Sequence, residues 1–386
     1  MSGVAVACLA GLCSSAATAR TDAEVAIRPD LVQAGLSQKG RSLIASIWTR
    51  KTVPLKDLDR RSQHAGGYLC VGLTLAGGAG ERRLCLGGPD PYRRVGLVTL
   101  DGQGKTTSVR ELAARVERSD PKHLVLVVVP GRAGLAPDRY RWRVLERRGG
   151  CGQNALECES RLPPGSSDYL FRLRPVRPVG CTGGSAGLVR HGPQDRPAIA
   201  LSFDDGPSEY TPGFLDVLRE KRVPATFFEV GQEMAGREGT MRRILREGDE
   251  IGNHTMHHTE FPGRAEIAPD SALVERYTRF RPCLFRPPGG AVDSAVVAAA
   301  AGLGMKTITW DVDPRDWTTP GSAAVYSRVV EATRAGSIVL MHDGGGPRGG
   351  TLAALPAIID TLRARGYRFE TVSDLLGHRL IYRPYG

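Results

Sequence analysis

The sequence predicts a two-part chain: an all-β sandwich of immunoglobulin-like type, then an α/β domain built on a parallel, barrel-like sheet. Three observations lead there. The 386 residues suffice for two hydrophobic cores. From about Arg41 to Val179, β-rich runs near 42–49, 68–75, 82–87, 93–100, 123–130, 139–147 and 168–174 are separated by turn residues, a spacing that suits a sandwich. Beyond residue 197, strand-like and helix-like segments alternate, which calls for parallel strands joined by helical crossovers.

In chain order, residues 4–13 form an apolar run too short to span a bilayer. Small residues ending in Ala17-Thr18-Ala19 follow, so residues 1–19 read as a secretory signal lacking its basic start. No other segment is apolar enough to cross a membrane. Residues 20–178 make up the sandwich. Within it only Val109 to Arg118 reads as helical, with Ser108 and Glu111 spaced as a capping box. Asp101-Gly-Gln-Gly-Lys-Thr106 resembles a phosphate loop, but Thr99 stands where that motif needs its first glycine, so a hairpin turn is expected. Residues 179–196, rich in Pro, Gly, Ser and Arg, read as a linker. From 197 to 386, strands are expected near 199–203, 225–228, 250–253, 284–286, 306–310, 337–342 and 367–370. Helices are expected near 211–221, 238–247, 293–302, 322–334 and 351–365. Such a compact set calls for a distorted or incompletely closed barrel.

Hydrophobic content of 41% and charged content of 24% are those of a soluble protein. The net charge of +11 is concentrated in the front half, which a cationic module could use on an anionic polymer such as a cell-wall glycan. No aromatic-interleaved basic helix or other nucleic-acid motif accompanies it. Behind the signal stand Cys70, Cys85, Cys151, Cys158, Cys181 and Cys283. An even count in an exported chain favours disulfides. Cys70 and Cys85 flank a hairpin, Cys151 and Cys158 close a small loop, and Cys181 is left for Cys283.

The chemistry is organised around residues 198–207, Ala-Ile-Ala-Leu-Ser-Phe-Asp-Asp-Gly-Pro. A buried strand runs into two adjacent carboxylates, Asp204 and Asp205, which strand geometry sends to opposite sides. One can bind a metal while the other handles a proton. His254 and His258 follow the third strand, Arg286 ends the fourth, Asp313 and Asp316 follow the fifth, and His342 ends the sixth. Active sites of parallel α/β barrels gather at those strand ends. His254-Thr-Met-His-His258 puts two imidazoles four residues apart on one side of a helical turn. With one carboxylate they make a catalytic zinc layout, and His257 at the i+3 position competes as second ligand.

Residues 197–376 resemble a polysaccharide deacetylase of carbohydrate esterase family four, the NodB homology domain. Its five motifs fall on Ser202-Phe-Asp-Asp-Gly-Pro207, His254-Thr-Met-His-His258, Arg286-Pro-Pro-Gly289, Asp313-Pro-Arg-Asp-Trp317 and Leu340-Met-His342. The resemblance implies a deformed (β/α)7 barrel and metal-dependent removal of acetyl groups from a glycan, N-acetylglucosamine or N-acetylmuramic acid types foremost. It implies Asp204 as general base and Asp205, His254 and His258 as metal ligands. Arg286 would orient the base, Asp316 tune the acid, and His342 serve as general acid. Pro288, Gly289, Trp317 and Leu340 would form the acetyl pocket and oxyanion site. The ligand set suits Zn²⁺ and also Co²⁺ or Ni²⁺. Two positions depart from the family: Gly289 replaces a usual tyrosine, and Met256 a common tryptophan. The resulting expectation is a secreted, monomeric enzyme acting on an acetylated polysaccharide or oligosaccharide. A sugar-binding barrel without activity, and a barrel amidase on non-sugar amides, are the competing readings.

Overall fold

The computed structural model describes residues 31–52, 68–86, 95–112, 114–147, 159–182 and 187–385. The expected leader over 1–19 and the Cys151–Cys158 pair lie outside these residues. The chain divides into two compact units, Met1–Pro175 and Val176–Gly386.

The first unit is all-β: β1 (Leu31–Lys39), β2 (Ser42–Thr49), β3 (Tyr68–Leu75), β4 (Glu81–Leu86), β5 (Val95–Leu100), β6 (Thr106–Leu112), β7 (Arg115–Asp120), β8 (His123–Val128), β9 (Arg139–Arg147), β10 (Glu159–Leu162) and β11 (Tyr169–Arg172). One antiparallel sheet runs β1-β2-β8-β7, and the other runs β10-β9-β3-β4-β5-β6 with β11 also on β9. In β2, Leu43, Ala45 and Ile47 point inward while their neighbours are half-exposed. That two-residue period builds a sheet with one buried face. These side chains meet Leu69, Val71 and Leu73 of β3 and Leu124 and Leu126 of β8 in one core. Cys70 and Cys85 lie directly opposite in the β3–β4 register and are disulfide-bonded.

Two expectations need correction here. The helix expected over Val109 to Arg118 is instead the end of β6 and the start of β7. Leu112 and Val116 both reach the core, and β6 and β7 gain sheet partners in β5 and β8, so pairing overrides a weak local helix signal. Eleven strands are present among the described residues rather than seven, β1 and β10 among those missed. Nothing in their order singles out the immunoglobulin-like connectivity expected from spacing. The 101–106 segment does form the hairpin turn between β5 and β6, with Asp101 Oδ1 accepting from the Gln103 and Lys105 N–H groups, each at 2.9 Å.

The second unit is α/β. Its strands are β12 (Val176–Cys181), β13 (Leu188–Val189), β14 (Ala198–Gly206), β15 (Thr226–Glu229), β16 (Glu250–Asn253), β17 (Leu284–Phe285), β18 (Lys306–Ile308), β19 (Ile338–His342), β20 (Arg368–Glu370) and β21 (Leu380–Pro384). Its helices are α1 (Thr211–Lys221), α2 (Glu238–Glu247), α3 (Arg264–Thr278), α4 (Ser294–Ala301), α5 (Ser322–Ala332), α6 (Gly349–Ala364) and α7 (Val372–Leu375). The main sheet is parallel in the order β13-β18-β17-β16-β15-β14-β19, with β20 also on β14. It curls: a parallel bridge from Val312 to Val339 brings the segment after β18 back to β19.

Strand β14 shows how the sequence sets the two faces of this sheet. Ile199, Leu201 and Phe203 join the core shared with α1, where Phe203 packs on Phe214 at 4.9 Å between ring centroids. Ala198 and Ala200 join a separate cluster with Phe228, Leu284 and Ile308. Asp204 continues the even-numbered series, so strand alternation aims it into the curl. Each large apolar side chain buried this way contributes roughly 1.5–3 kcal/mol.

Strands occupy part of the segment expected as a linker, 179–196. β12 pairs antiparallel with β21, and β13 joins the parallel sheet beside β18. Cys181 and Cys283 are disulfide-bonded, with Cα atoms 6.1 Å apart. Helix α3 has no counterpart among the expected helices. Pro269 lies inside it and removes one helical N–H, yet Ile267 and Val274 bury on the sheet and hold the helix in place.

Candidate active site

Most of the polar residues singled out from sequence converge at the C-terminal ends of the parallel strands. A bulge in the β14–β15 register between Asp204 and Gly206, with Asp205 at φ 71°, separates the two adjacent carboxylates. Asp204 turns into the curl and accepts from Arg286 Nη1 at 2.6 Å. Arg286 is fully buried. Its Nη2 donates to Thr309 O at 3.3 Å, and its guanidinium stacks 4.0 Å from the Phe228 ring centroid. Burial works against this cation, and the Asp204 charge opposes that effect.

Asp205 faces the histidines. Its Oδ1 lies 3.4 Å from His254 Nε2 and 3.0 Å from His258 Nε2. The three residues each offer a donor atom within 4.8 Å of the others. His254 Nδ1 is 2.7 Å from Arg286 O, which leaves Nε2 as the donor nitrogen. Asp205 Oδ1 is buried and meets neither ring nitrogen with hydrogen-bond alignment, as expected of lone pairs converging on a cation. Burial raises the Asp205 pKa, but the adjacent His254 and His258 imidazoles outweigh it and hold the carboxyl well below the usual range. Two histidines and a carboxylate with room for water fit a catalytic divalent metal.

The histidine segment is a loop rather than the helical turn expected from its spacing. Thr255 and His258 take positive φ, 71° and 56°, and fold both imidazoles back on Asp205. The competing ligand is resolved as well. His257 is exposed and its Nδ1 contacts Glu266 Oε1 at 3.0 Å, so it faces away from Asp205.

His342, at the end of β19, sits opposite Asp204 in the strand register. Its Nδ1 is 2.7 Å from Asp316 Oδ1, and its backbone N–H donates to Asp316 Oδ2 at 2.9 Å. The Thr351 hydroxyl also donates to Oδ2, at 2.8 Å. Burial disfavours the imidazolium, but Asp316 outweighs it, with Asp204 and Asp205 adding to the effect, so the His342 pKa is raised. Asp313 is not part of the cluster. It is exposed and accepts from the Arg315 N–H at 2.7 Å.

Around this cluster Leu340 and Pro288 are buried, while Trp317 is half-exposed, with the Arg315 guanidinium 5.5 Å from its ring centroid. Gly289 has φ 62° in the turn after Arg286. The Gly290 and Ala291 N–H groups close that turn on Pro287 O and Pro288 O, a pair to which the Gly289 N–H does not belong.

Sequence reading missed the supports behind the cluster. Glu229 and Asp343 are fully buried, and a Cβ on Gly206 would stand 2.7 Å from one carboxylate and 2.6 Å from the other. Both pKa values are raised, first by burial; Asp343 reaches about 7 even though the Thr211 hydroxyl donates to it. A charged residue inside an otherwise apolar strand was the available signal for Glu229, and adjacency to His342 was the signal for Asp343. Arg348, buried, donates to Gly344 O and, at 2.9 Å, to Gly345 O. It thereby pins a loop whose glycines press on Asp205 too closely for any Cβ.

Fold and site together define an α/β protein with a His–His–Asp donor set at the rim of a curled parallel sheet. A family model described as polysaccharide deacetylase matches residues 191–308. A peptidoglycan-N-acetylglucosamine deacetylase of Bacillus cereus is 40% identical over 195 residues, spanning 48% of this chain and 92% of the relative. A chitooligosaccharide deacetylase of Sinorhizobium fredii is 38% identical over 190 residues, spanning 44% and 88%. A solved peptidoglycan N-acetylglucosamine deacetylase in complex with 4-naphthalen-1-yl-N-oxidanyl-benzamide superposes with a TM-score of 0.48 at 30% identity, covering 50% of this chain and 94% of that one. The chain belongs to the polysaccharide deacetylase family.

Proposed function

We propose that the protein is a metal-dependent deacetylase that hydrolyses N-acetyl groups of N-acetylglucosamine- or N-acetylmuramic-type residues in a glycan, its curled sheet serving as a deformed (β/α)7 barrel. The observation that carries this reading is the convergence of the Asp205–His254–His258 donor set with two hydrogen-bonded pairs, Asp204–Arg286 and His342–Asp316.

Asp205, His254 and His258 would hold the metal, Zn²⁺ foremost and Co²⁺ or Ni²⁺ as substitutes. When bound it polarises the acetyl carbonyl and brings a water's pKa down to roughly 7. Asp204 takes the proton as water attacks, and Arg286 fixes the carboxylate that receives it. His342, anchored through Nδ1, carries its mobile proton on Nε2 and hands it to the departing sugar nitrogen. A base and an acid placed this way each contribute typically ~10²–10⁴-fold. The Gly289 N–H serves as donor to the oxyanion, with Pro288, Leu340 and Trp317 around the acetyl methyl.

We further propose an exported enzyme, in keeping with its disulfides. The first unit would be an accessory module for an anionic wall polymer, and Arg139, Arg141 and Arg172 stand exposed on its β9–β11 pair. Acetate release from chitooligosaccharides, peptidoglycan and acetylated xylan, measured before and after chelation and again after zinc is restored, tests the central reading. Turnover lost on chelation and regained with zinc is expected. Full activity in stripped protein would overturn the metal role, and no release from any glycan would favour a sugar-binding barrel.

A further inference from the structure

We propose that the outer end of the histidine loop, with Glu260 beside Gly289 and Phe261 next to it in sequence, is a glycan subsite that selects a sugar carrying a free, cationic amine next to the sugar being deacetylated. The proposal rests on the deacetylase reading above and assigns a specificity to it.

Glu260 lies two residues beyond His258 and is exposed, with no hydrogen bond or ion pair to any described residue. Its Oε1 stands 3.2 Å from the place a Cβ on Gly289 would occupy. Glycine at that position therefore leaves the carboxylate uncovered at the rim of the site. The basic groups that share its loop are committed elsewhere. His257 contacts Glu266, and Arg264 donates to Gly302 O at 3.2 Å. Glu260 is thus a carboxylate with no ion pair among the described residues, and the complement it can take from substrate is a cation.

Phe261 follows it, 60% exposed and at φ 49°. Thr255, His258 and Phe261 place three non-glycine residues at positive φ within seven positions. Each such residue carries a conformational cost that surrounding structure must sustain, and such residues cluster at ligand sites. The Phe261 ring is left largely exposed instead of packed in the core. An apolar ring beside an uncovered carboxylate matches a glucosamine unit, which offers a C–H face for the ring and an ammonium for the carboxylate. An acidic sugar would be repelled from the same place.

The amine is also the product of the proposed reaction. A sugar already deacetylated would be held beside the site while its neighbour is processed, so free amines would accumulate in blocks along the glycan.

Binding of a fully de-N-acetylated glucosamine tetramer to the full-length protein tests the subsite by calorimetry. Acetate release from fully acetylated and partly de-N-acetylated tetramers is measured alongside. An exposed charge pair of this kind predicts that Glu260→Gln, which keeps an acceptor oxygen but loses the charge, weakens tetramer binding about two- to fivefold. Added salt should erase the difference between wild type and variant, and any kinetic preference for the amine-bearing substrate should fall by the same factor. Phe261→Ala should weaken acetylated and amine-bearing oligomers alike. Equal affinities for wild type and Glu260→Gln, or a wild-type preference for the fully acetylated tetramer, would overturn the subsite. Absence of acetate release from every glycan would instead overturn the deacetylase reading, while the binding comparison would still decide the role of Glu260.

Discussion

Arg286 offers the most demanding test of the site, because its guanidinium is wholly buried and its partner is a carboxylate among carboxylates. Replacing it with methionine keeps much of the volume against Phe228 and removes the charge. Asp204 would then be left buried and unpaired, with Asp205, Glu229 and Asp343 nearby. Removing one partner of a buried ion pair costs about 3–5 kcal/mol, and the lost donor to Thr309 O adds to it. Asp204→Asn alone should cost a comparable amount by stranding the guanidinium. The double variant removes both charges, so it should lose much less than the sum, with a coupling of about 2–3 kcal/mol. Urea unfolding followed by tryptophan fluorescence reads this, since Trp310 lies beside the guanidinium, and chelated protein keeps metal out of the comparison. A loss below about 1 kcal/mol for Arg286→Met, or additive single variants, would refute the view that this pair is a tightly coupled buried unit.

In its proposed role as acid His342 must be protonated, and its pKa is raised above the ordinary value of about 6.5. The alkaline limb of kcat/KM should therefore lie above that pH, and Asp316→Asn should move it toward acid; an unmoved limb would remove Asp316 from its tuning role. The same shift stabilises the fold fully below the unfolded pKa and is lost as pH rises through the folded one. Gly289→Tyr keeps the N–H and should retain turnover, but at φ 62° it should cost about 1–2 kcal/mol of stability. Gly289→Pro lacks the N–H and cannot adopt that φ, so its acetate-release rate should fall far more, and matching rates for the two variants would sink the oxyanion assignment. Replacing Cys181 and Cys283 with serine opens a 102-residue span and should destabilise by roughly 4–5 kcal/mol in the chain-entropy model, whereas an unchanged unfolding midpoint would count against it.

Much of the candidate site was legible in the chain because each piece sits where a local pattern ends. An apolar strand running into Asp204-Asp205-Gly206, or two histidines four residues apart at 254 and 258, is a signal contained in a few consecutive residues. Strand and helix order in the second unit was readable for the same reason: β14 and α1 carry their own periodicity and their own turn residues. The elements that went unread depend on partners far away in sequence. β12 exists because β21, some 200 residues on, pairs with it; β6 and β7 exist because β5 and β8 complete their hydrogen bonds; α3 survives Pro269 because its apolar side chains have a sheet to cover.

The roles within the site divide along the same line. Sequence alone determined which residue types stand at the strand ends, and so which chemistry they can support. It could not choose between His257 and His258, because a spacing of three or four residues satisfies the same helical turn; positive φ at Thr255 and His258 made that choice. Nor could it tell which of two adjacent carboxylates meets Arg286 and which meets the imidazoles, since that follows from a bulge at the β14–β15 pairing. The cost of burying Glu229 and Asp343 beneath Gly206, and the room that Gly289 leaves for Glu260, belong wholly to tertiary structure. Burial, charge proximity and backbone strain are properties of neighbours in space, and a chain acquires them only when it closes on itself.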